Sequence, residues 1–236
     1  AIIMTAKKQH IVILIDRSGS MESIASDVIG GYNQFLRTQQ ADGSDARVTF
    51  VQFDSHDPQE VVVAGAPISE VVPLSAATFV PRGGTPLLDA TGRLISRISA
   101  NQAERRAAGL PEEDILFVSI TDGAENASRE FTLDRIRQLI AEKSAAGWNF
   151  AFLSAALDAY ADARGMGVHA GATQGFAPDA QGVGLAFNRL AQKTVDWRAV
   201  KRRGRNMRDE DFFGSDKQAE ADRRRRKGDN PDPSGN

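Results

Sequence analysis

Short apolar runs alternate with segments of helical apolar spacing along most of the chain. Continuous or alternating apolar residues predict β-strands at 10–15, 46–53, 60–64, 115–120 and 148–155. Apolar positions three and four residues apart predict helices at 24–36, 85–98, 132–146, 158–164 and 180–196. Runs such as Ile11–Ile15 are apolar on both faces, which is typical of parallel strands covered by helices.

The order of these elements predicts the fold class. Strands that alternate with helices favour an α/β, doubly wound, Rossmann-like sheet, mostly parallel, with helices on both faces. The strands at 46–53 and 60–64 are close enough in sequence to form a hairpin. We therefore expect one antiparallel strand at an edge of the sheet.

The charge distribution divides the 236 residues unevenly. The net charge is −2, but residues 197–236 hold twelve lysines and arginines against eight acidic residues. Apolar residues also thin out beyond Arg198, so we expect a domain at 9–196 and a largely disordered, mixed-charge basic tail at 197–236. The pair Phe212-Phe213 could instead form a short docking motif or fold back onto the domain.

Several classes of protein are disfavoured by composition and motifs. The longest aliphatic run, Ile11–Ile15, is far shorter than the roughly 20 residues that cross a bilayer. No signal peptide is evident, and the absence of cysteine excludes disulfides, thiolate metal sites and cysteine nucleophiles. Phosphate-loop and nucleophile-elbow motifs are also absent, and no histidine or lysine base lies near the candidate serines in sequence. We expect a cytoplasmic protein that is not an enzyme.

Polar residues with oxygen ligands cluster where predicted strands and helices meet. Asp16, Ser18 and Ser20 follow the first strand, Asp122 follows the strand at 115–120, and Thr85 opens a helix. Because ligands bind beyond the carboxyl ends of parallel strands, these side chains are expected at one edge of the sheet. Two carboxylates and three hydroxyls suit Mg²⁺, with Mn²⁺ or Ca²⁺ as alternatives, and suit zinc poorly.

Each of these residues also has a purely structural interpretation. Asp16 and Ser18 could cap a turn, and Asp122 could do the same at its strand end. Thr85 is well suited to be a helix N-cap, with Pro86 as the first helical residue. The joint pattern, rather than any one residue, favours a metal site.

Three motifs in this order resemble a known family. Asp16-Arg17-Ser18-Gly19-Ser20 resembles the Asp-x-Ser-x-Ser motif of von Willebrand factor type A domains. Gly84-Thr85-Pro86 and Thr121-Asp122-Gly123 resemble the family's second and third motifs. Together they resemble the metal-ion-dependent adhesion site of that family.

The resemblance covers roughly residues 9–196 and extends beyond the metal motifs. The segments 29–33, 122–128 and 152–158 resemble stand-alone bacterial members, most of which have no assigned function. The resemblance therefore implies a type of site rather than a pathway.

The resemblance implies a role for each site residue. Ser18 and Ser20 would bind the cation directly, and Thr85 would bind it directly or through water. Asp16 and Asp122 would supply charge, largely through bound waters. The remaining position would accept an Asp or Glu carboxylate of a partner protein, which implies a non-enzymatic, cation-dependent interaction module.

Residues beside the three motifs have more than one interpretation. Glu125, Asn126 and Ser128 could either rim the site or cap the next helix. Arg17 and Arg82 could steer an acidic partner or be ordinary solvated arginines. The three histidines have no metal-ligand spacing and are interpreted as structural or surface residues: His10, His56 and His169.

Three other functions remain as alternatives. The chain could be an accessory subunit of an ATPase complex, as some members of the family are. Its basic tail could bind RNA or another acidic surface, although acidic residues dilute the tail and no aromatic ladder is present for stacking. A Mg²⁺-dependent hydrolase is a further possibility, because a bound cation can activate water.

Overall fold

The computed structural model describes residues 7–214. The strands are β1 (Lys8–Asp16), β2 (Ala46–Phe53), β3 (Glu60–Pro67), β4 (Glu113–Thr121), β5 (Asn149–Ser154) and β6 (Thr173–Gly175). The helices are α1 (Ala25–Asp42), α2 (Leu87–Ala107), α3 (Leu133–Ala145), α4 (Ala159–Gly165) and α5 (Ala180–Arg202). Short 3₁₀ turns lie at Gly19–Ile24, Ile68–Glu70, Ala170–Ala172 and Asp209–Asp211.

The six strands form one sheet of order β3-β2-β1-β4-β5-β6. Only β2 and β3 pair antiparallel, and every other neighbouring pair is parallel. Helices cover both faces, so the predicted α/β fold class with one antiparallel edge strand is confirmed. No helix within residues 7–214 combines the length and apolarity needed to span a membrane.

Burial of the central strands explains why this sequence adopts the fold. Residues 11–15 of β1 are fully enclosed between the two helical layers. Helices α1 and α5 pack so closely that a Cβ on Gly31 would lie 2.3 Å from the ring of Phe187. Gly31 is therefore required by the close approach of two helices.

A buried polar cluster closes the amino end of the sheet. Arg47 donates two hydrogen bonds to the Glu113 carboxylate, at 2.6 and 2.7 Å, and Gln102 donates a third at 3.0 Å. Burial alone would raise the pKa of Glu113, but its interactions with His10, Arg47 and Gln102 outweigh burial and hold that pKa below its usual range. His10 lies 2.7 Å from the hydroxyl of Thr49, which agrees with its interpretation as a structural residue.

The structure corrects the expected boundary between domain and tail. Helix α5 continues through 196 to Arg202, and Trp197 and Arg198 are completely buried. The following chain folds back, and the backbone N–H of Phe213 donates to the Gly171 carbonyl at 2.8 Å. Residues 197–214 contain few apolar side chains, so their composition resembles that of a solvated tail. Trp197, Phe212 and Phe213 are nevertheless buried and anchor the segment to the domain. The basic run 223–227 lies outside the described residues.

We expect Phe213→Ala to destabilise the whole domain by about 3–5 kcal/mol, because it removes a buried aromatic side chain. The ring packs edge-to-face on Phe212 at 4.9 Å between centroids, and the Arg189 guanidinium lies over it. Urea unfolding would measure the loss, with Leu157→Ala, at a side chain 66% exposed, as the matched control. Equal small losses in both variants would show that the segment 203–214 does not stabilise the domain.

Candidate functional site

The predicted ligands converge at the carboxyl ends of β1 and β4. Asp16 is the last residue of β1 and its carboxylate is buried. Its Oδ1 accepts the Ser18 backbone N–H at 2.7 Å, and its Oδ2 accepts the Thr121 hydroxyl at 2.7 Å. These two bonds fix the orientation of the carboxylate between the neighbouring parallel strands.

Hydrogen bonds continue from Asp16 to the second carboxylate. The hydroxyl oxygens of Ser18 and Ser20 lie 3.1 Å apart, and Ser20 donates to Asp122 Oδ1 at 2.9 Å. Four of the five predicted ligands therefore belong to one connected set. Ser18 is buried, whereas Ser20 is exposed and gives the set an outward face.

Thr85 lies on a loop that is hydrogen-bonded to the loop after β1. Gly19 donates its backbone N–H to the Gly83 carbonyl at 3.0 Å, and Arg82 donates to the Arg17 carbonyl at 2.8 Å. Gly83 has φ of 65°, and a Cβ there would lie 2.6 Å from the Ser55 hydroxyl. Thr85 lies on this tied loop, two residues after Gly83, and its hydroxyl forms no hydrogen bond with the other four predicted ligands within residues 7–214.

The structure corrects the capping role expected for Thr85. Helix α2 begins at Leu87 with Pro86 at the N-cap position, so neither Thr85 nor Pro86 has its predicted helical position. The first helical N–H groups are instead satisfied by the loop after β4. Leu88 donates to Glu125 at 3.0 Å, and Asp89 donates to the Ser128 hydroxyl at 2.9 Å.

Hydrogen bonds between α2 and the loop after β4 also run in the opposite direction. Asp89 accepts the backbone N–H groups of residues 129, 130 and 131 at 2.8–3.0 Å. Burial would raise the pKa of Asp89, but these three bonds outweigh it and lower that pKa. Glu125 and Ser128 therefore cap a helix, although it is α2 rather than the helix that follows them.

Asn126 joins the loop after β4 to the loop that contains Thr85. Its Oδ1 accepts the Thr85 N–H at 2.8 Å, and its own N–H donates to the Thr85 carbonyl at 3.1 Å. Sequence analysis placed Asn126 near the site but could not identify this partner, which lies 41 residues away. The only available signal was the polar run directly after Asp122.

Electrostatics at the site are dominated by two carboxyl groups, Asp16, which is buried, and Asp122, which is half-buried. Burial, and to a smaller extent the nearby Asp122, raise the pKa of Asp16 to about 6, although its hydrogen bonds with Ser18 and Thr121 act to lower it. Burial also raises the pKa of Asp122. Within the described chain, no lysine or arginine forms an ion pair with either carboxylate.

The two arginines predicted to flank the cation are paired with other groups. Arg17 is buried and forms ion pairs with Asp54 and Glu60, and Arg82 is also bound to Asp54. Their charges are therefore locally neutralised, which weakens the interpretation that they steer a partner.

The donor set fits a hard divalent cation. The converging side chains offer carboxylate and hydroxyl oxygens, and no group of three or more His, Cys, Asp or Glu residues suited to a metal occurs within residues 7–214. A cation at this edge would thus depend on hydroxyls and retained water beside two carboxylates, as Mg²⁺ and Mn²⁺ commonly do. Two carboxylates without a cationic side chain are consistent with such an ion.

Comparison with known proteins places the fold in a class. No protein-family model matches the sequence, and no curated protein matches it. The chain is similar in structure to the von Willebrand factor domain of the type V pili tip protein Mfa5 from Porphyromonas gingivalis. That match has a TM-score of 0.55 and 11% identity over 80% of this chain and 96% of that one.

Two further solved structures share the fold. The pilus adhesin SpaC from Lactobacillus rhamnosus GG matches with a TM-score of 0.58 and 16% identity, over 81% of this chain but only 31% of SpaC. Proximal thread matrix protein 1 from the mussel byssus matches with a TM-score of 0.53 and 13% identity, over 79% of this chain and 48% of that protein. At these identities the likeness shows a von Willebrand factor A-type fold and nothing further.

Proposed function

We propose that this chain is a divalent-cation-dependent protein-interaction module. A cation held by Asp16, Ser18, Ser20, Thr85 and Asp122 would accept an Asp or Glu carboxylate of a partner. The observation that best supports this proposal is the connected set of two carboxylates and two hydroxyls, without a counter-cation, at the carboxyl edge of β1 and β4. Mg²⁺ is the preferred cation, with Mn²⁺ and Ca²⁺ as alternatives.

The charges suggest how a partner would be recognised. Asp16 and Asp122 would balance the two positive charges of the cation, so an incoming carboxylate would bind mainly by replacing a metal-bound water. Long-range attraction from Arg17 and Arg82 would be small, because both arginines pair with Asp54. Specificity would then arise from the loops that surround the cation.

We propose binding without turnover. The Ser18 and Ser20 hydroxyls contact each other, and Ser20 donates to Asp122, whereas a nucleophilic serine needs a histidine or lysine base. An ATPase complex as the partner stays a prediction. RNA binding through the tail stays a prediction, because its Arg223–Lys227 run lies outside the described residues.

Affinity capture from the native cell lysate tests this function. Wild-type protein would be used with Mg²⁺ and with EDTA, together with Asp16→Asn and the surface control Asp134→Asn. We expect a partner that is retained by wild type and by Asp134→Asn in Mg²⁺, and lost with EDTA and with Asp16→Asn. A partner retained equally under all four conditions would move the binding surface away from the candidate site.

A further inference from the structure

A second cavity lies at the opposite end of the sheet from the candidate metal site. The carboxyl-terminal ends of α2, α3 and α5 and the start of β4 enclose about 450 Å³ there. A neighbouring hollow of about 590 Å³ shares several of its lining residues, including Trp148, Lys201 and Asn206. Both volumes are in the range of small-molecule pockets, roughly 300–1,000 Å³.

Lys201 has an unusual position in this cavity. Its side chain is only 3% exposed, yet its sole polar contact within residues 7–214 is Asp114, whose Oδ1 lies 4.0 Å from Nζ. Hydrogen bonds to nitrogen donors are usually 2.7–3.2 Å long, so this contact leaves the three donors of the ammonium unused. Burial lowers the pKa of Lys201, which reflects the cost of a charged group with so few partners.

The charges around Lys201 favour a negatively charged occupant. Five cationic and three acidic side chains line the cavity of about 450 Å³: Lys7, Arg105, Arg106, Lys143, Lys201, Glu112, Glu113 and Asp114. The Glu113 carboxylate is already bound by Arg47, which does not line the cavity. The cations are also partly paired, since Lys7 and Arg106 lie near Glu112, Arg105 near Glu113 and Lys143 near Glu142. The lining still holds two more cationic than acidic side chains.

Helix ends explain part of this arrangement but not Lys201. Arg105 and Arg106 lie in the last turn of α2, and Lys143 lies in the last turn of α3, where cations complement the helix dipole. Lys201 is also near a helix end, but the dipole effect requires no burial. The Lys201 side chain, which is almost fully buried and lines a cavity without a close polar partner, is the observation that calls for a ligand.

We propose that this cavity binds a small dianion, either a phosphate monoester or a dicarboxylate, through Lys201 Nζ. Lys7, Lys143 and the Asn206 amide lie around the same space and supply further donors. Trp148 borders both hollows and offers an apolar wall to the organic part of the ligand. This site is independent of the cation-binding edge.

Thermal unfolding with added anions tests the site. Sodium phosphate and sodium succinate would be compared with sodium chloride at matched ionic strength, using wild type, Lys201→Met and the control Lys193→Met on the same helix. We expect one dianion to raise the melting temperature of wild type and Lys193→Met in a saturable way, and to need at least tenfold higher concentration in Lys201→Met. Equal shifts in all three proteins, or none beyond chloride, would overturn the proposal.

Chemical labelling provides a test that does not depend on a variant that folds. Wild-type protein would react with acetic anhydride, and mass spectrometry would follow acetylation of Lys201 and of Lys193. We expect the dianion that stabilises the protein to slow acetylation of Lys201 several-fold while leaving Lys193 unchanged. If phosphate and succinate both leave the Lys201 rate unchanged, the proposal is wrong.

Discussion

Replacing Asp16 with Asn is expected to weaken Mg²⁺ or Mn²⁺ binding at least about 100-fold, since even the loss of outer-shell groups at metal sites costs about 10–100-fold. The substitution removes one of the two site charges but keeps an oxygen that can accept the Ser18 N–H. The Thr121 hydroxyl can then accept from the new amide instead of donating to a carboxylate. Isothermal titration with each cation would measure the loss.

The fold should survive this substitution. Burial disfavours the charged form of Asp16, so a neutral side chain of the same size is expected to leave the unfolding midpoint in EDTA unchanged or slightly raised. Asp134→Asn, at a side chain 82% exposed on α3, removes the same charge away from the site and should bind cations like wild type. Equal cation affinity in Asp16→Asn and wild type would remove Asp16 from the site.

A loss of stability of about 3–5 kcal/mol is expected for Arg198→Met, because it breaks a buried ionic network from one side. The guanidinium is fully buried and donates to Gln9, to the carbonyls of Gln39 and Gly43, and to Asp45. Methionine fills much of the space of the stem, but it removes the donor from the buried Gln9 side chain and from the Gln39 and Gly43 carbonyls. Urea unfolding at neutral pH would measure the effect.

Arg202→Met is the matched control for this prediction. Arg202 also binds Asp45 and Asp42, but its side chain is 31% exposed, so we expect a loss of no more than about 1 kcal/mol. A loss in Arg198→Met no greater than that in Arg202→Met would show that burial of Arg198 contributes little.

The sheet could be predicted because each layer leaves a clear pattern in the sequence. β1 and β4 are continuous apolar runs, and such runs occur where both faces of a strand are covered. The helix that contains Leu94 and Ile98 shows its buried face by spacing alone. These elements needed no information from distant parts of the chain.

The candidate site was predictable for a related reason. Asp16 and Asp122 follow directly after two such strands, and the parallel pairing of β1 with β4 brings those strand ends together. The serines follow Asp16 within four residues, so local sequence kept them close. Four of the five predicted ligands therefore meet as expected, and Thr85 lies on the adjoining loop.

Long-range polar contacts were not predictable. Arg198 has the sequence appearance of a solvated tail residue, yet its partners lie 153–189 residues away and make burial possible. The hydrogen bonds that Glu125 accepts from the start of α2, and Asp89 from the loop after β4, span about 40 residues and follow no local spacing rule. Charged residues generally indicate surface, so a buried, fully satisfied arginine is missed by composition.

Water-proton relaxation by Mn²⁺ tests the central claim, a cation at the β1–β4 edge with one position open to a carboxylate. Mn²⁺ would be titrated with wild type and Asp16→Asn, and then with an N-acetylated, C-amidated Gly-Asp-Gly peptide and its equally blocked Gly-Asn-Gly counterpart, which has no carboxylate. The account predicts enhanced relaxation with wild type alone, and a decrease when the Asp peptide, but not the Asn peptide, displaces a metal-bound water. Equal enhancement with both proteins, or no enhancement with wild type, would contradict it.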